Sequence, residues 1–372
     1  MNKLIVANLL HRPLRSIISI LAVAIEVIMI LSIVGIFMGM LNDQKQRTNG
    51  IGADLIMRGS NASNMNGAGP VSMPVKFVDV LRKIPHVTVV SPAALQLITS
   101  TSGVEIQFGI DYPSYNALRP FTFVAGTPFK GPDDVIVDDV LAAKVNPATG
   151  KPYTLGDTLS IFNTDFHICG IVQHGKGGRK LIPIETMGQL INNPGKASNF
   201  YLKLDDPANA QSVIDAIHNT RGLQNYPVET MDEWLSEMTP EKLPGFNLAL
   251  NSVTVIAVVV GFLVIFQTMY TAVLERTREI GILKSMGASK PEIVSVVLRE
   301  TAILAVVGVI LGIAGSYGVR VAMLHATTLQ FQIPSRWLLQ GAFIAFAGSI
   351  LGALYPAWMA ARKDPIDALA YE

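Results

Sequence analysis

Charge is scarce in this chain: Asp, Glu, Lys and Arg make up 15% of its 372 residues, against about 25% in soluble domains. It has a single cysteine, Cys169, which excludes an intrachain disulfide and leaves the redox compartment open. The net charge of +1, without a basic run or interleaved aromatic and basic residues, argues against nucleic acid as a partner. No Ser-His-Asp order and no pair of carboxylates can be argued from spacing, so nothing points to an enzyme. What the chain has instead is apolar residues, 50% of the total, and they are gathered in runs.

Four runs, residues 17–41, 251–273, 294–323 and 337–359, are long enough to cross a membrane, which takes roughly 20 apolar residues. Residues 42–245 have the composition of a soluble domain. The basic flank Lys3, Arg12 and Arg15 ahead of the first run resembles a signal peptide. The run itself is too long, because a signal h-region has about 7–15 residues, and no A-x-A site follows. An uncleaved span is therefore expected, preceded by a short interfacial helix over residues 1–13 that Pro13 bends into the bilayer. Lys and Arg set the orientation. They precede span one, lie between spans two and three (Arg276, Arg278, Lys284, Lys290) and follow span four (Arg362, Lys363), whereas the loop at 324–336 offers only His325 and Arg336. By the positive-inside rule both termini and the 274–292 block are cytoplasmic, and the large domain is outside.

That outer domain reads as α+β. Helical patterns at residues 75–83 and in "ANAQSVIDAIHNT" alternate with strand patterns near 87–90 and in "GVEIQFGI", "DDVIVDD", "DTLSIFN", "FHICGIVQ", "NFYLKLDD" and "YPVET". A loop-rich, β-heavy stretch is expected from about 101 to 200, and a polar loop over residues 59–70.

Three constellations invite a chemical reading. In "GIVQHGKGG", Gly170, Gly175 and Lys176 have P-loop spacing, but Gly177 stands where Ser or Thr must hold Mg²⁺. The next residues read as a turn and a strand, not the helix whose amides hold phosphate. His167, Cys169 and His174 lack a fourth ligand at any usual zinc spacing, so no metal is expected. Glu26 stands apart: twelve residues after Leu14 is ~18 Å along a helix, close to mid-membrane. A carboxylate there faces protein, either as a packing group or as a contact that differs between two transmembrane states. Gly35/Gly39, Gly308/Gly312 and Gly348/Gly352 have the spacing that lets helices approach, in a tight bundle or a dimer.

The densest charge sits in "LERTREIGILKSMGASKPE". The stretch from Leu274 to Met286 is compatible with one helix throughout apart from Gly281. Glu275 with Arg278, and Arg276 with Glu279, can pair at i,i+3, beside an apolar strip of Ile282, Leu283 and Met286. Gly287 suits a C-terminal stop, and Ser289 with Glu292 forms a capping box that starts the next helix. The pattern is a short amphipathic helix tied closely to two spans.

"LERTREIGILKSMGAS" resembles the signature of the FtsX-like, MacB-like family of ABC transporter permeases, and "YPAWMAARKDPIDALAYE" resembles that family's closing motif. "PHVTVVSP", "GDTLSIFNTDFHICGIV" and "LIPIETMGQL" resemble its periplasmic core. "ANLLHRPLRSIISILAVAIEV" resembles its opening, with Glu26 where a small residue is more usual. The resemblance implies a membrane protein with four transmembrane helices and a large α+β extracytoplasmic domain, porter-like with an inserted β-rich subdomain, between helices one and two. The implied division is residues 1–41 for the interfacial helix and first span, 42–245 for the core domain, and 246–372 for the permease domain with a coupling helix at 274–288. It assigns contact with the ATPase to Glu275, Arg276, Arg278, Glu279, Ile282, Leu283, Lys284, Met286 and Gly287. The chain starts almost directly with span one and has no valid P-loop, so the expected ATPase is a separate polypeptide that binds the ATP and Mg²⁺. A second protomer, a periplasmic adaptor and an outer-membrane channel complete the implied partners, in the bacterial inner membrane. The implied output is export of an amphiphile, lipid, lipoprotein or peptide by transmitted motion; the alternatives are control of a cell-wall hydrolase or sensor kinase, and a scaffold without an ATPase.

Overall fold

The structure, a computed structural model, describes residues 13–60, 68–100, 103–242, 245–326 and 328–363. The expected interfacial helix at 1–13, except Pro13, and most of the 59–70 loop lie outside the described residues. The chain divides into two compact units. One comprises residues 1–39, 245–324 and 329–372; the other comprises residues 40–244 with 325–328.

In the first unit, four helices are long and apolar enough to cross a membrane: Pro13–Asn49, Asn247–Glu275, Lys290–Leu324 and Ser335–Arg362. They coincide with the four apolar runs. The fourth helix shows the membrane logic of its sequence. Its buried stripe is made of small residues (Ala345, Gly348, Gly352, Ala353, Ala357), while Phe343, Leu351 and Trp358 are exposed. Hydrocarbon gives no drive to bury leucine, so close backbone approach governs which face turns inward. Gly308 and Gly312 of the third helix do the same against the first: an added Cβ would lie 2.7 Å from Val23 Cβ and 2.6 Å from Val27 Cβ. The small-residue pairs are thus spent, at least in part, inside this chain's own bundle.

The second unit is α+β. Among the described residues, ten strands form one sheet. From edge to edge it runs Val228–Thr230, Leu55–Arg58, Asn199–Leu204, Val87–Ser100, Gly103–Ile110, Lys180–Pro183, Asp134–Asp138, Thr164–Val172 and Phe123–Gly126, with Thr158–Ile161 paired to Thr164–Val172. Strands from within and outside the 101–200 stretch join at the antiparallel pair Val87–Ser100 and Gly103–Ile110. Successive residues feed opposite faces. Leu55, Met57, Val135, Val137, Phe200 and Leu202 enter one hydrophobic cluster, and Ile56, Ile136 and Tyr201 enter another. Burial on both faces is why these strands read as near-continuous apolar runs. The Ile184–Leu190 and Ala210–Asn219 helices cover the first face, and Tyr112–Leu118 with Met231–Glu237 cover the second.

Within this unit the last turns of the first long helix are fastened to the sheet by charge. Arg179 donates to both oxygens of Asp43 at 3.0 Å and to Asp138 at 2.9 Å, and Arg47 reaches Asp43 at 3.0 Å. Burial pushes the Asp138 carboxyl upward, and the Arg179 and Arg47 guanidinium groups pull it back. Buried charges persist only when paired in this way.

Candidate functional site

The charged block folds as two helices joined at Arg276. The second long helix ends at Glu275, Arg276 leaves helical geometry at φ −106° and ψ 17°, and Thr277–Ser285 forms a separate helix. The expected single helix across 274–286 is therefore broken. The Thr277 hydroxyl donates back to Leu274 O at 2.8 Å, satisfying a carbonyl at the joint. The far end is as expected. Gly287 takes φ +97°, its N–H donates to Lys284 O, and Ala288 N–H donates to Leu283 O, both at 3.0 Å. This double bond closes the helix and needs a residue that tolerates the left-handed region. Ser289 N–H then donates to Glu292 Oε2 at 2.7 Å, opening the third long helix.

The two faces of this short helix differ. Thr277, Ile280 and Gly281 are buried, and Ile280 packs with Val273, Ile293, Ala360 and Ala361, with Leu283 alongside. Lys284 Nζ donates to Ala361 O at 3.1 Å and to Lys363 O, tying the helix to the end of the fourth long helix. Cations near a helix C-terminus stabilise its unpaired carbonyls. On the opposite face Arg278, Glu279, Ile282 and Met286 are exposed, Met286 at 71%.

The expected i,i+3 ion pairs are not formed. Glu275 lies 3.5 Å from Arg15, and Arg276 lies 2.8 Å from Glu300, so both side chains reach across to other helices. Glu300 is the hub. Only 3% of its side chain is exposed, and it takes Arg276 on Oε2 and Arg15 on Oε1 at 3.4 Å. Pairing along the solvated helix surface is worth only ~0.2–0.5 kcal/mol, so little is lost by giving it up, whereas a buried Glu300 carboxylate without a counter-charge is strongly destabilising. Of the nine residues assigned to ATPase contact, Arg278, Glu279, Ile282 and Met286 form the open face and Glu275 lies at its edge. Arg276, Leu283 and Lys284 point into the bundle, and Gly287 sets the stop. Arg15 and Glu300 are the members that sequence reasoning missed. The available signal was an acid, Glu300, at the border of an otherwise apolar run.

Glu26 is buried in the bundle, and its Oε1 has no hydrogen-bond partner among the described residues. Its space is made by Gly261 of the second long helix, where an added Cβ would lie 1.9 Å from Glu26 Oε2; Gly348 of the fourth faces Oε1. In the outer domain the P-loop-like stretch runs into the strand Lys180–Pro183. Lys176 turns inward, donating to Arg119 O at 2.7 Å, and burial lowers its ammonium to about 8. His174 faces Asp139 at 3.0 Å, and burial lifts the Cys169 thiol to about 12.

Four membrane-length helices, a large α+β domain between the first and second, and a short helix clamped between the second and third define a multi-span membrane protein with one large domain outside the bilayer helices. Residues 16–220 match the MacB-like periplasmic core domain and residues 251–365 the FtsX-like permease C-terminal domain; the chain belongs to this MacB-like, FtsX-like permease family. A macrolide export ATP-binding/permease protein MacB from Shewanella sp. strain W3-18-1 is 25% identical over 389 residues, covering 97% of this chain and 59% of the relative. The one from Nitrobacter winogradskyi is 24% identical, covering 98% and 59%. The chain thus spans about three-fifths of the length of these relatives. Among solved structures, the periplasmic region of MacB from Actinobacillus actinomycetemcomitans aligns at 17% identity and TM-score 0.38, over 50% of this chain and 92% of that one. The extracellular domain of the transporter YknZ aligns at 16% and 0.36, over 48% and 99%.

Proposed function

We propose that this chain is the permease subunit of an ABC transporter and converts the motion of a partner ATPase into motion of its outer domain. The observation that carries this reading is the two-faced helix Thr277–Ser285. Arg278, Glu279, Ile282 and Met286 are open to a partner, while the other face is bound to the bundle through Arg276–Glu300–Arg15 and through Lys284. A push on the open face is then delivered to the first, third and fourth long helices together, because each holds one end of these links. The partner would bind the ATP and Mg²⁺. Its closure would bias a two-state arrangement of the spans, in a dimer of this chain, with the short helix and both termini on the cytoplasmic side of a bacterial inner membrane. Relatives that bear the name of macrolide exporters support export of an amphiphile, lipid, lipoprotein or peptide as the output. Buried Glu26, unpartnered at Oε1, is proposed as a group whose contacts change between the two arrangements.

The test is crosslinking in the native cells from a photoreactive residue at Met286, followed by identification of the captured protein. An ABC ATPase is expected, with capture lost in Arg278→Glu/Glu279→Arg. Capture of no ATPase from Met286, Ile282 or Arg278 would overturn the reading.

A further inference from the structure

Between the third and fourth long helices, at the end that carries the Thr277–Ser285 helix, runs a groove of ≈ 830 Å³. Its order along the helices is informative. Phe346, Ile350 and Ala302 line the deeper part, Arg299 lies one helical turn from Ala302, and Trp358, Arg362 and Lys290 lie toward the mouth. From Ile350 to Arg362 is twelve residues, about 18 Å of helix, close to the ~15 Å of one leaflet's hydrocarbon. The apolar part therefore lies at acyl-chain depth and Lys290 and Arg362 at headgroup level, where tryptophan is also favoured; Arg299 stands nine residues, about 13.5 Å of helix, inward of Lys290, a position from which a long basic side chain snorkels toward the headgroups.

The charges are one-sided. Lys290, Arg299 and Arg362 are exposed, and among the described residues no acid lines the groove and none of the three has a carboxylate partner. Glu292, the nearest acid in sequence to Lys290, is engaged by Ser289 at 2.7 Å. The Arg362 guanidinium lies 4.0 Å from the centre of the Trp358 ring, an arrangement that fixes the cation while leaving its N–H groups free for an anion. Elsewhere in the bundle the cations Arg15 and Arg276 are matched by Glu275 and Glu300. An apolar trough about one leaflet deep, ending in cations that are unmatched among the described residues, complements an anionic amphiphile in shape and charge.

We propose that this groove is a binding site for an anionic glycerophospholipid of the leaflet bordering the Thr277–Ser285 helix. Its phosphate sits at the mouth by Lys290 and Arg362, Arg299 lies deeper and extends toward the glycerol-phosphate region, and an acyl chain lies along Ile350 and Phe346. The site wedges the third helix against the fourth, both of which hold the short helix. A bound lipid thereby becomes part of the structure that moves. The proposal rests on the membrane-spanning fold and on no assumption about the ATPase or the cargo.

The full chain, reconstituted in nanodiscs of phosphatidylethanolamine and phosphatidylglycerol and then released into detergent, would be examined by native mass spectrometry for retained lipid. Each basic residue near an anionic headgroup is worth about fivefold in partition, so retained phosphatidylglycerol is expected to be enriched roughly tenfold or more over its bulk share. In the triple variant K290Q/R299Q/R362Q the enrichment should fall to within about twofold. In the control K144Q/K151Q/R82Q, on the outer domain, it should stand. Ile350→Trp, which fills the trough and keeps the cations, should reduce retention of both lipids. Equal retention of the two lipids by the parent, or a preference that survives the triple variant, would overturn the proposal. So would disulfide-linked dimers formed efficiently through Ile350→Cys in a Cys169→Ser background, because a second copy would then occupy the groove. Melting in lipid-free detergent keeps the test interpretable: the three cations are exposed, so the triple variant should melt with the parent. If it unfolds instead, Ile350→Trp alone decides.

Discussion

The sharpest consequence of the structure is that two arginines of the charged block, two positions apart, stand in opposite environments. Arg276 has 12% of its side chain exposed and is bonded to Glu300; Arg278 is exposed and has no charged partner among the described residues. Truncating one partner of a desolvated ion pair costs about 3–5 kcal/mol, because the other charge stays behind without its counter-charge. For Glu300→Ala the lower end, about 3 kcal/mol, is appropriate, since Arg15 keeps Glu275 at 3.5 Å. Glu300→Gln retains hydrogen bonds and shape and should lose about half as much. Arg278→Ala and Glu279→Ala, on the open face, should stay within about 0.5 kcal/mol of the parent.

The assay reads stability and partner binding on the same purified proteins. Unfolding is followed by denaturant titration in detergent, and association by retention of the ATPase captured from Met286. Arg276→Ala and Glu300→Ala should be destabilised, and the double variant should be less destabilised than the sum, with a coupling of about 1–3 kcal/mol. Arg278→Glu should be as stable as the parent and lose the ATPase. The reasoning fails if Arg276→Ala is as stable as the parent but no longer retains ATPase, because Arg276 would then be a contact residue and not a clamp. It fails equally if Arg278→Ala destabilises the fold by more than about 1 kcal/mol.

Gly261→Ala should destabilise the bundle by about 1–3 kcal/mol, since its Cβ would stand 1.9 Å from Glu26 Oε2; Gly261→Ala combined with Glu26→Ala should recover part of that loss in the same titration. Gly287→Ala places a side chain at φ +97° and should cost about 1–2 kcal/mol, read as lower melting temperature and weaker ATPase retention. Lys176 supplies a pH test. Its folded-state ammonium is lowered to about 8 from an ordinary 10.5 by burial, so between those values the unfolded chain holds more proton and stability rises with pH. The difference in unfolding free energy between parent and Lys176→Met should therefore grow in the parent's favour from pH 8 to 10.5; a flat difference would show that Lys176 is not desolvated.

The four spans and most strands were legible because their signals are local. A run of about 20 apolar residues, or a period-2 pattern, announces itself without knowledge of its neighbours. The Gly287 stop and the contact between Ser289 and Glu292 were legible for the same reason, because both are settled within five residues. What failed was pairing at a distance. Glu275 and Arg276 have plausible partners three residues away, and only the fold brings Arg15, 260 positions earlier, and Glu300, 24 positions later, within reach. The joint at Arg276 was hidden for a related reason, since no glycine or proline marks it. The tie of the Arg276 guanidinium to Glu300 and the return bond of Thr277 accompany the break.

The same distinction governs how the charged block works. Charges that find partners across helices are bound into the scaffold and are no longer available to a second protein. Charges left over, Arg278 and Glu279, can pair with a complementary surface without first breaking an internal bond. The block therefore sorts its residues by geometry: Arg276 and Lys284 convert the short helix into a rigid extension of the bundle, and Arg278, Glu279, Ile282 and Met286 offer it a surface. The proposed transmission requires both halves. An open face on a loosely held helix would move without moving the spans, and a clamped helix with no open face would have nothing to move it. Separating them by substitution, stability on one side and association on the other, is what distinguishes a transmitter from a helix that merely covers the end of a bundle.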